Sequence, residues 1–330
     1  MDEDQTNPAP LEQKSHDVAD VAPTSLKHLI GNEPIKAQVQ VALESAFADN
    51  RRFDSSMLVG GPGLGKSALA AVIACELGVG DSFTEVLGQS ITGVGDLNAL
   101  LLGTSEKSVL HVDEAHELDK RLQTALYLAL DKRCVFANAG AGGKPHPIPI
   151  SDFTLLLSTT DEYCLLQPLR DRMKLVLRFQ YLSVDELAQV TKQRSSALRW
   201  QVSDEVFPLI AARAKGVPRL ALRLLQASRR VARAEGETAI TAPHLERACA
   251  LEQIDCLGLG PLDQQYLRRL ADGPVRVNVL ASVLGLPVRT VSQVIEPFLI
   301  RAGLIDKDDQ SRRQLTPAGI EHLRATGGKP

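Results

Sequence analysis

The chain has 330 residues, 44% of them hydrophobic, and a formal net charge of -3. This length allows two or three domains with buried cores, and a charge so near zero does not by itself indicate nucleic acid. Because no apolar run approaches the roughly 20 residues of a membrane helix and the N-terminus is acidic and polar, the composition argues against a membrane protein and a secretory leader.

We therefore expect a cytoplasmic protein with no membrane association. The five cysteines are scattered, with no C-x-x-C pair and no histidine at metal-ligand spacing. We expect them to be reduced and mostly buried.

Residues 1–25 form the first segment and carry six acids against one lysine. They are rich in Asp, Glu, Pro and Ser and lack apolar periodicity, so they cannot bury enough surface to offset the entropy of ordering. We expect a flexible acidic tail.

Residues 26–182 alternate short apolar runs with helical patterns. This alternation predicts an α/β domain with a parallel sheet covered by helices. The predicted strands are residues 56–59, 108–112 and 153–157, and the predicted helices include residues 66–77 and 118–130.

Residues 183–256 show helical periodicity throughout, which predicts a small all-helical domain. Ser183 and Ser203 are each followed by acids and resemble N-cap residues.

The last segment, residues 257–330, carries ten Lys and Arg against seven acids. Helical patterns at 262–270, 277–284 and 288–302 precede two short apolar stretches with polar residues between them. Helix, turn, helix and hairpin in this order predict a winged-helix module.

One motif carries recognisable chemistry, a G-x-x-x-x-G-K-[ST] run between a predicted strand and a predicted helix. The run consists of Gly60, Gly61, Pro62, Gly63, Leu64, Gly65, Lys66 and Ser67. Its glycines let backbone N–H groups surround phosphates, Lys66 supplies a cation, and Ser67 offers a hydroxyl to Mg²⁺. The sequence therefore predicts an ATP site.

An acid pair follows the next predicted strand, where Asp113 and Glu114 end an apolar run. In this position Asp113 would hold Mg²⁺ and Glu114 would polarise the attacking water. The pair could also be a solvated strand end. His111 within the strand is more typical of a packed histidine than of a catalytic one.

The third predicted strand ends in Ser158, Thr159 and Thr160, at the sheet edge where the loop and the acid pair also emerge. A hydroxyl there can touch the γ-phosphate or the attacking water. The alternative is a threonine that only caps the next turn.

These residues resemble the AAA+ ATPases and, among them, the RuvB family of bacterial Holliday-junction branch-migration motors. The resemblance covers residues 26 to about 325 and includes the domain order. Its further motifs are Asp113-Glu114-Ala115-His116, Gly95-Asp96-Leu97, residues 168–172, residues 216–220 and residues 296–300. It implies a P-loop AAA+ domain at 26–182, a helical lid at 183–256 and a DNA-binding winged helix at 257–330.

Carried over residue by residue, the resemblance makes Thr160 a γ-phosphate sensor, Arg172 an arginine finger reaching a neighbouring subunit's ATP, and Arg219 a second sensor. It also places Leu29, Ile30 and Ala68 beside the nucleotide. A shared site implies a ring oligomer, expected to be hexameric. From the residues alone, the arginines could instead be surface charges.

Two further parts of the chain are assigned by the resemblance. Residues 133–152, with Gly140–Gly143 as the turn, match a hairpin that docks onto the junction-binding partner RuvA, although a plain surface hairpin is equally compatible. Arg313, and less securely Arg312 and Lys307, fall where the family's wing meets duplex or junction DNA. The wing also carries Asp306, Asp308 and Asp309, which weaken a basic patch.

The chain departs from the family pattern near the nucleotide. Ala22-Pro23 replaces Arg-Pro, Ala68 replaces a hydroxyl residue, Asp161 replaces an arginine, and Leu182 stands where a tyrosine is expected. The expected activity is an ATP-hydrolysing DNA motor in recombination and repair. The alternatives are a protein-remodelling or clamp-loader-like ATPase whose winged helix binds protein, and a nucleotide-gated DNA-binding regulator.

Overall fold

The computed structural model describes residue 18 and residues 21–137 and 146–327. These residues divide into two compact units. One contains residues 21–186 and 217–219, and the other contains residues 187–216 and 220–327. Most of the expected tail and the glycine turn at 140–143 lie outside the described residues.

The first unit is an α/β domain built on a five-stranded parallel sheet. Its elements in chain order are α1 (Glu33–Ala48), β1 (Ser56–Val59), α2 (Lys66–Glu76), β2 (Phe83–Leu87), α3 (Val94–Leu102), β3 (Val109–Asp113), α4 (Lys120–Lys132), β4 (Cys134–Ala137), β5 (His146–Pro149), β6 (Thr154–Thr159), α5 (Gln167–Arg170) and β7 (Leu175–Arg178). The strand order in the sheet is β2-β3-β6-β1-β7, and the predicted parallel sheet is confirmed.

Both faces of this sheet are buried, as expected for parallel strands joined by helical crossovers. Leu58 and Leu156 point into a core shared with α1 and α2, whereas Leu155 and Leu157 point into a core shared with α3 and α4. The central strand β6 is buried along its whole length. All five strands therefore deliver their carboxyl ends to one edge of the sheet.

Strands β4 and β5 pair antiparallel outside the main sheet and form the predicted hairpin. Val135 is buried, but Phe136 and Ile148 are exposed. The hairpin thus presents two large apolar side chains on its surface.

The second unit begins with the helical residues of the lid. Its elements are α6 (Val184–Ala197), β8 (Gln201–Val202), α7 (Val206–Arg213), α8 (Pro218–Ala234), β9 (Ala239–Ile240) and α9 (Ala242–Glu252), with residues 184–186 of α6 and 218–219 of α8 in the first unit. Ser183 caps α6 as predicted, since its hydroxyl accepts from Glu186 N. The N-cap prediction at Ser203 is wrong, because the chain makes a further turn and α7 is capped at Glu205. The parallel pair β8-β9 is an addition to the expected helices.

The winged helix completes the second unit and confirms the predicted order of helix, turn, helix and hairpin. Its elements are α10 (Pro261–Leu270), α11 (Val277–Leu284), α12 (Val288–Thr290), a π-helical turn (Val291–Ile295), α13 (Glu296–Arg301), β10 (Ile305–Lys307), β11 (Arg313–Leu315) and α14 (Pro317–Ala325). Strands β10 and β11 pair antiparallel as the wing. The sequence did not predict α14.

None of the five cysteines is in a disulfide. Because Cys75, Cys164 and Cys256 are exposed, the expectation of mostly buried thiols is wrong. Among the described residues no single helix is long and apolar enough to cross a membrane, although one bent helix pair passes by length and composition.

Candidate functional site

The phosphate-binding motif lies at the carboxyl edge of the sheet, between β1 and α2. Gly60 N donates to Thr159 O at 3.1 Å, which fixes the start of the loop against the end of β6. Gly63 has φ +76°, a left-handed conformation that glycine adopts without strain. Lys66 and Ser67 follow as the first residues of α2, where free backbone N–H groups and the helix dipole favour an anion.

The Lys66 ammonium is buried and donates to Gly60 O at 2.8 Å and Gly61 O at 3.0 Å. Burial lowers the pKa of Lys66, while the carboxylates of Glu114 and Asp113 act to raise it. A buried ammonium that donates to loop carbonyls is suited to exchanging them for phosphate oxygens. The structure therefore brings Lys66 and the acid pair together, as the sequence predicted.

Asp113 is the last residue of β3 and lies beside the start of α2. Its Oδ2 accepts from Ser67 Oγ at 3.2 Å, and its Oδ1 accepts from Glu114 N at 3.0 Å. A hydroxyl and a carboxylate side by side are hard oxygen ligands of the kind that Mg²⁺ prefers. The two residues fit the predicted metal-binding role.

Glu114 has φ +49°, an uncommon conformation for a residue with a side chain. A methyl group on Gly88 would lie 2.6 Å from Glu114 O, so only glycine fits there. The side chain of Glu114 approaches His116, with 3.3 Å between Glu114 Oε2 and His116 Nδ1. Backbone strain of this kind is common at catalytic positions. The sequence alone predicts neither the importance of Gly88 nor a role for His116.

The ends of β3 and β6 are joined by buried polar contacts. His111 is fully buried, with Nδ1 3.0 Å from Glu85 Oε1 and Nε2 2.7 Å from Ser158 Oγ. Burial lowers its pKa and Glu85 opposes the shift. His111 is therefore a packed, hydrogen-bonded histidine, as its position suggested.

The two threonines at the end of β6 differ in environment. Thr159 is buried and its hydroxyl is 3.2 Å from His116 Nδ1. Thr160, the predicted sensor, is exposed just beyond the strand. The hydroxyl that contacts His116 is thus that of Thr159, and the sensor role of Thr160 stays a prediction.

Arg219 lies against the phosphate-binding loop, since its N–H donates to Gly63 O at 3.3 Å. A methyl group on Gly63 would be 2.9 Å from Val217 Cγ1 and from Arg219 Cβ. The predicted second sensor is therefore adjacent to the loop, and Val217 is a contact that the sequence did not reveal.

The remaining predicted nucleotide contacts are less closely placed. Leu29 and Ile30 are half-buried before Gly31, where an added methyl group would meet Leu182 Cδ2. Residue 182 is a leucine, but the neighbouring Tyr181 places an aromatic side chain beside the loop. A methyl group added to Gly61 would lie 3.4 Å from the Tyr181 hydroxyl. Ala68 is half-buried in the first turn of α2.

Arg172 belongs to a different cluster. Its guanidinium binds Asp131 through two N–H groups at 2.9 and 2.5 Å, donates to Pro168 O at 2.6 Å, and lies 5.1 Å from the Tyr127 ring. The hydrogen bonds to Asp131 raise the pKa of Arg172 and lower that of the Asp131 carboxyl. Five guanidinium N–H groups with three in use leave two for a further acceptor.

The wing residues do not form the predicted basic patch. Arg313 is buried and makes a bidentate pair with Glu296, at 2.8 and 3.0 Å. Its guanidinium is taken up inside the winged helix, so its prediction as a DNA contact is corrected. Arg312 binds Asp308 at 2.7 Å and is partly exposed, whereas Lys307 is exposed on β10.

Three family models match the chain in the order of its domains. Residues 21–179 match the Holliday junction DNA helicase RuvB P-loop domain, residues 182–255 the RuvB AAA lid domain, and residues 256–324 the RuvB C-terminal winged helix domain. A protein of Nocardioides sp. named Holliday junction branch migration complex subunit RuvB is 36% identical over 314 residues, covering 93% of this chain and 86% of the relative.

The chain belongs to the RuvB family.

Other RuvB proteins agree with this assignment. The RuvB subunit of Pseudothermotoga lettingae is 34% identical over 307 residues, covering 91% of this chain and 89% of that protein. The solved Thermotoga maritima RuvB branch migration motor superposes with a TM-score of 0.79 at 31% identity, covering 92% of this chain and 97% of that one. A mutant of the same protein gives 0.81 at 31% identity, covering 92% and 99%.

As a member of the RuvB family, the chain is a P-loop ATPase with a nucleotide-binding loop. The geometry at this loop agrees with that assignment, because a cation, a hydroxyl and two carboxylates converge at the carboxyl edge of a parallel sheet. Such an arrangement can bind a phosphate chain and polarise a water beside it.

Proposed function

We propose that this protein is an ATP-driven DNA motor that moves Holliday-junction arms in recombination and repair. The observation that carries the proposal is the convergence of Lys66, Ser67, Asp113 and Glu114 in a chain that matches RuvB over more than nine-tenths of its length. Phosphoryl transfer needs positioning and charge stabilisation more than covalent chemistry, and these four side chains can provide both.

The proposed substrate is ATP and the proposed metal is Mg²⁺. Lys66 would bind the phosphates, while Ser67 and Asp113 would hold the ion, which when bound neutralises phosphate charge. Glu114 would orient and polarise the attacking water, with His116 close to its carboxylate.

Thr160 would monitor the γ-phosphate, and Arg219 would bind the nucleotide from the start of α8. Leu29, Ile30 and Ala68 remain proposed nucleotide contacts.

The second half of the proposed site comes from a neighbouring subunit. Arg172 would act as an arginine finger on that subunit's ATP, using the guanidinium N–H groups that Asp131 and Pro168 leave available. A finger supplied across an interface ties hydrolysis to assembly. The proposal therefore includes a ring oligomer, which we take to be a hexamer.

Two partners complete the proposal. The ring would encircle duplex DNA, with Lys307 and, once free of Asp308, Arg312 gripping phosphates without reading sequence. The hairpin within 133–152 would dock onto a RuvA-like junction-binding protein, because Phe136 and Ile148 are large, apolar and exposed. The proposed location is the cytoplasm. The proposed domain boundaries lie at residues 25, 182 and 256.

The test compares Glu114→Gln with Glu117→Gln, which removes the same charge beside the other nitrogen of His116. We expect Glu114→Gln to lower ATP turnover by on the order of a hundredfold while ATP binding and ring assembly persist. Glu117→Gln should behave like the wild type, whose turnover should rise with duplex or junction DNA. Equal wild-type turnover with and without DNA, together with no DNA binding at low salt, would exclude a DNA motor.

A protein-remodelling ATPase is the second candidate, and the wing favours it. Arg313 is buried against Glu296, Arg312 pairs with Asp308, and Asp306 and Asp309 are exposed. Such a wing is a weak site for a phosphate backbone. Recovery of one protein partner whose binding depends on ATP, in a complex that contains no DNA, would support this candidate over the motor.

A further inference from the structure

The lid carries arginines around the single tryptophan of the chain. Trp200 follows the end of α6, and its backbone N–H donates at 2.8 Å to the carbonyl of Ser195, the residue after Arg194. The Cζ of Arg229 on α8 lies 3.9 Å from the centre of the Trp200 ring. Burial lowers the pKa of Arg229, and the charge of Arg233, one turn further along α8, lowers it more. We call Arg194, Trp200, Arg229 and Arg233 the basic lid surface.

Two of these arginines lack a counter-charge. Among the residues that the structure describes, no carboxylate pairs with Arg194 or Arg233, and none offsets the lowering of the Arg194 pKa by burial. In the same part of the chain the buried indole N–H of Trp200 has no acceptor. Guanidinium groups bind carboxylates more strongly than neutral carbonyls, and a buried N–H without an acceptor is costly. The basic lid surface therefore favours an acidic ligand.

The segment at the start of the chain leads directly to this surface. Val18 belongs to the same unit as the lid, and its carbonyl oxygen accepts from the Arg194 guanidinium. The residues before it are acidic, with five acids against one lysine in residues 1–17. These acids are Asp2, Glu3, Asp4, Glu12 and Asp17. The last of them is the immediate neighbour of Val18, so one carboxylate is tethered beside Arg194.

A tethered ligand has an advantage over a free one. Its binding is intramolecular, with an effective concentration on the order of millimolar for a short linker. An extended chain advances about 3.3 Å per residue, so residues 1–17 are long enough to reach every member of the basic lid surface. Opposite charge, attachment at Val18 and sufficient length together identify these residues as the ligand.

We propose that the basic lid surface is the binding site for the acidic residues 1–17 of the same chain. Their carboxylates neutralise the lid arginines, and the bound segment covers Trp200. While it is bound, other polyanions cannot reach these arginines. The binding requires neither ATP nor DNA, so it is independent of the proposed motor function.

The first measurement is the rate of tryptic cleavage after Lys14, the only lysine or arginine in residues 1–17. Mass spectrometry of the full-length protein follows the loss of residues 1–14. Cleavage of a segment that is released transiently tracks the fraction released. The test variants are Arg194→Gln and Arg233→Gln. The control is Arg223→Gln, since Arg223 is also an exposed arginine of α8 but pairs with Glu252 at 2.6 Å.

We expect each test variant to raise the rate of cleavage after Lys14 about threefold, and the double variant about tenfold, because each removes one partner of the carboxylates. Arg223→Gln should be cleaved like the wild type. Cleavage elsewhere in the chain should not accelerate in any of them, since Arg233 is exposed and its loss leaves no described group unpaired.

The second measurement uses Trp200 fluorescence, which is specific because the chain has no other tryptophan. Replacing the five acids of residues 1–17 by their amides should increase the quenching of Trp200 by acrylamide, a neutral quencher. About 1 M salt should raise wild-type quenching to the same level, because the Debye length falls to about 3 Å. Lys14→Gln is the control, since it removes a charge from the same segment without removing a carboxylate and should not increase quenching.

Several results would overturn this assignment. One is equal cleavage after Lys14 in the Arg233→Gln and Arg223→Gln proteins, and another is wild-type quenching in the protein with amidated acids. A third is weaker binding of a labelled DNA duplex by Arg194→Gln and Arg233→Gln with unchanged cleavage after Lys14, which would assign the surface to nucleic acid. A wild-type protein without DNA-stimulated ATP turnover would count against the proposed motor alone.

Discussion

Glu114 holds its carboxylate on a strained backbone that neighbouring atoms keep in place. Glu114 has φ +49°. Its N–H donates to the carboxylate of Asp113, the residue before it, and its carbonyl oxygen packs against Gly88. The Cα of Gly88 has no room for a side chain on that side. The angle at which Glu114 enters the site therefore depends on a residue 26 positions earlier in the chain.

At this scale we predict that Gly88→Ala lowers ATP turnover by on the order of tenfold to a hundredfold, because small displacements of a positioned group are costly to the transition state. Nucleotide affinity should stay near the wild-type value, since the phosphate-binding loop is untouched. Steady-state kinetics and nucleotide titration check both statements. Gly80→Ala is the control, because Gly80 also begins a short 3-10 turn and a methyl group there meets nothing within 4 Å. Equal turnover in the two variants would contradict the prediction.

The elements of the winged helix are joined by a buried charge pair instead of presenting those charges to a ligand. Arg313 on β11 binds Glu296 at the start of α13, and Tyr266 on α10 donates to the same carboxylate at 3.0 Å. Burial is the main cause that raises the pKa of Tyr266, and the nearby Glu296 carboxylate raises it further. The hydroxyl therefore stays protonated and can donate. Three elements thus share one satisfied polar cluster inside an apolar core.

Glu296→Ala leaves Arg313 buried without a counter-charge, so we predict a loss of about 3–5 kcal/mol in the stability of the winged helix. Asp272→Ala breaks the exposed pair with Arg269 and should cost about 0–1 kcal/mol. Urea unfolding followed by circular dichroism compares the transition midpoints of the two variants with that of the wild type. A Glu296→Ala midpoint no lower than that of Asp272→Ala would mean that the pair does not stabilise the fold.

At the scale of the whole molecule, one chain supplies both halves of the proposed catalytic site but does not bring them together. Lys66 is held by the phosphate-binding loop, and Arg172 is held by Asp131 and Pro168 in another cluster. If the ring proposal is right, each active site combines the loop of one subunit with the finger of the next. Variants in the two halves should then complement each other.

We predict that Lys66→Ala and Arg172→Ala are each inactive and that Arg172→Ala still binds nucleotide. An equal mixture should recover turnover, since in a randomly mixed ring about a quarter of the head-to-tail interfaces pair an intact loop with an intact finger. ATPase assays of the mixture measure the recovery. Arg172→Ala mixed with the double variant is the control, because it contains no intact pair. No recovery in the first mixture, or normal turnover by Arg172→Ala alone, would rule out the shared site.

The local parts of this protein were predictable from the sequence. The phosphate-binding loop, the acid pair after β3, the parallel sheet and the order of the winged-helix elements were predicted because each depends on residues adjacent along the chain. Backbone conformation, hydrophobic period and strand-end position are set over such short ranges. The N-cap prediction at Ser203 was also a local one, but it was wrong because one extra turn precedes α7.

Only the tertiary structure decided which partner each charged side chain has. Arg313 reaches Glu296 across 17 residues, Arg172 reaches Asp131 across 41, and Lys215 reaches Asp263 across 48. An arginine that grips DNA and one that is buried against a glutamate look the same in sequence, because the difference is desolvation and a carboxylate brought close by folding. The sequence by itself therefore determined the nucleotide site and the domain order, and the fold determined which cations are free to act on a ligand.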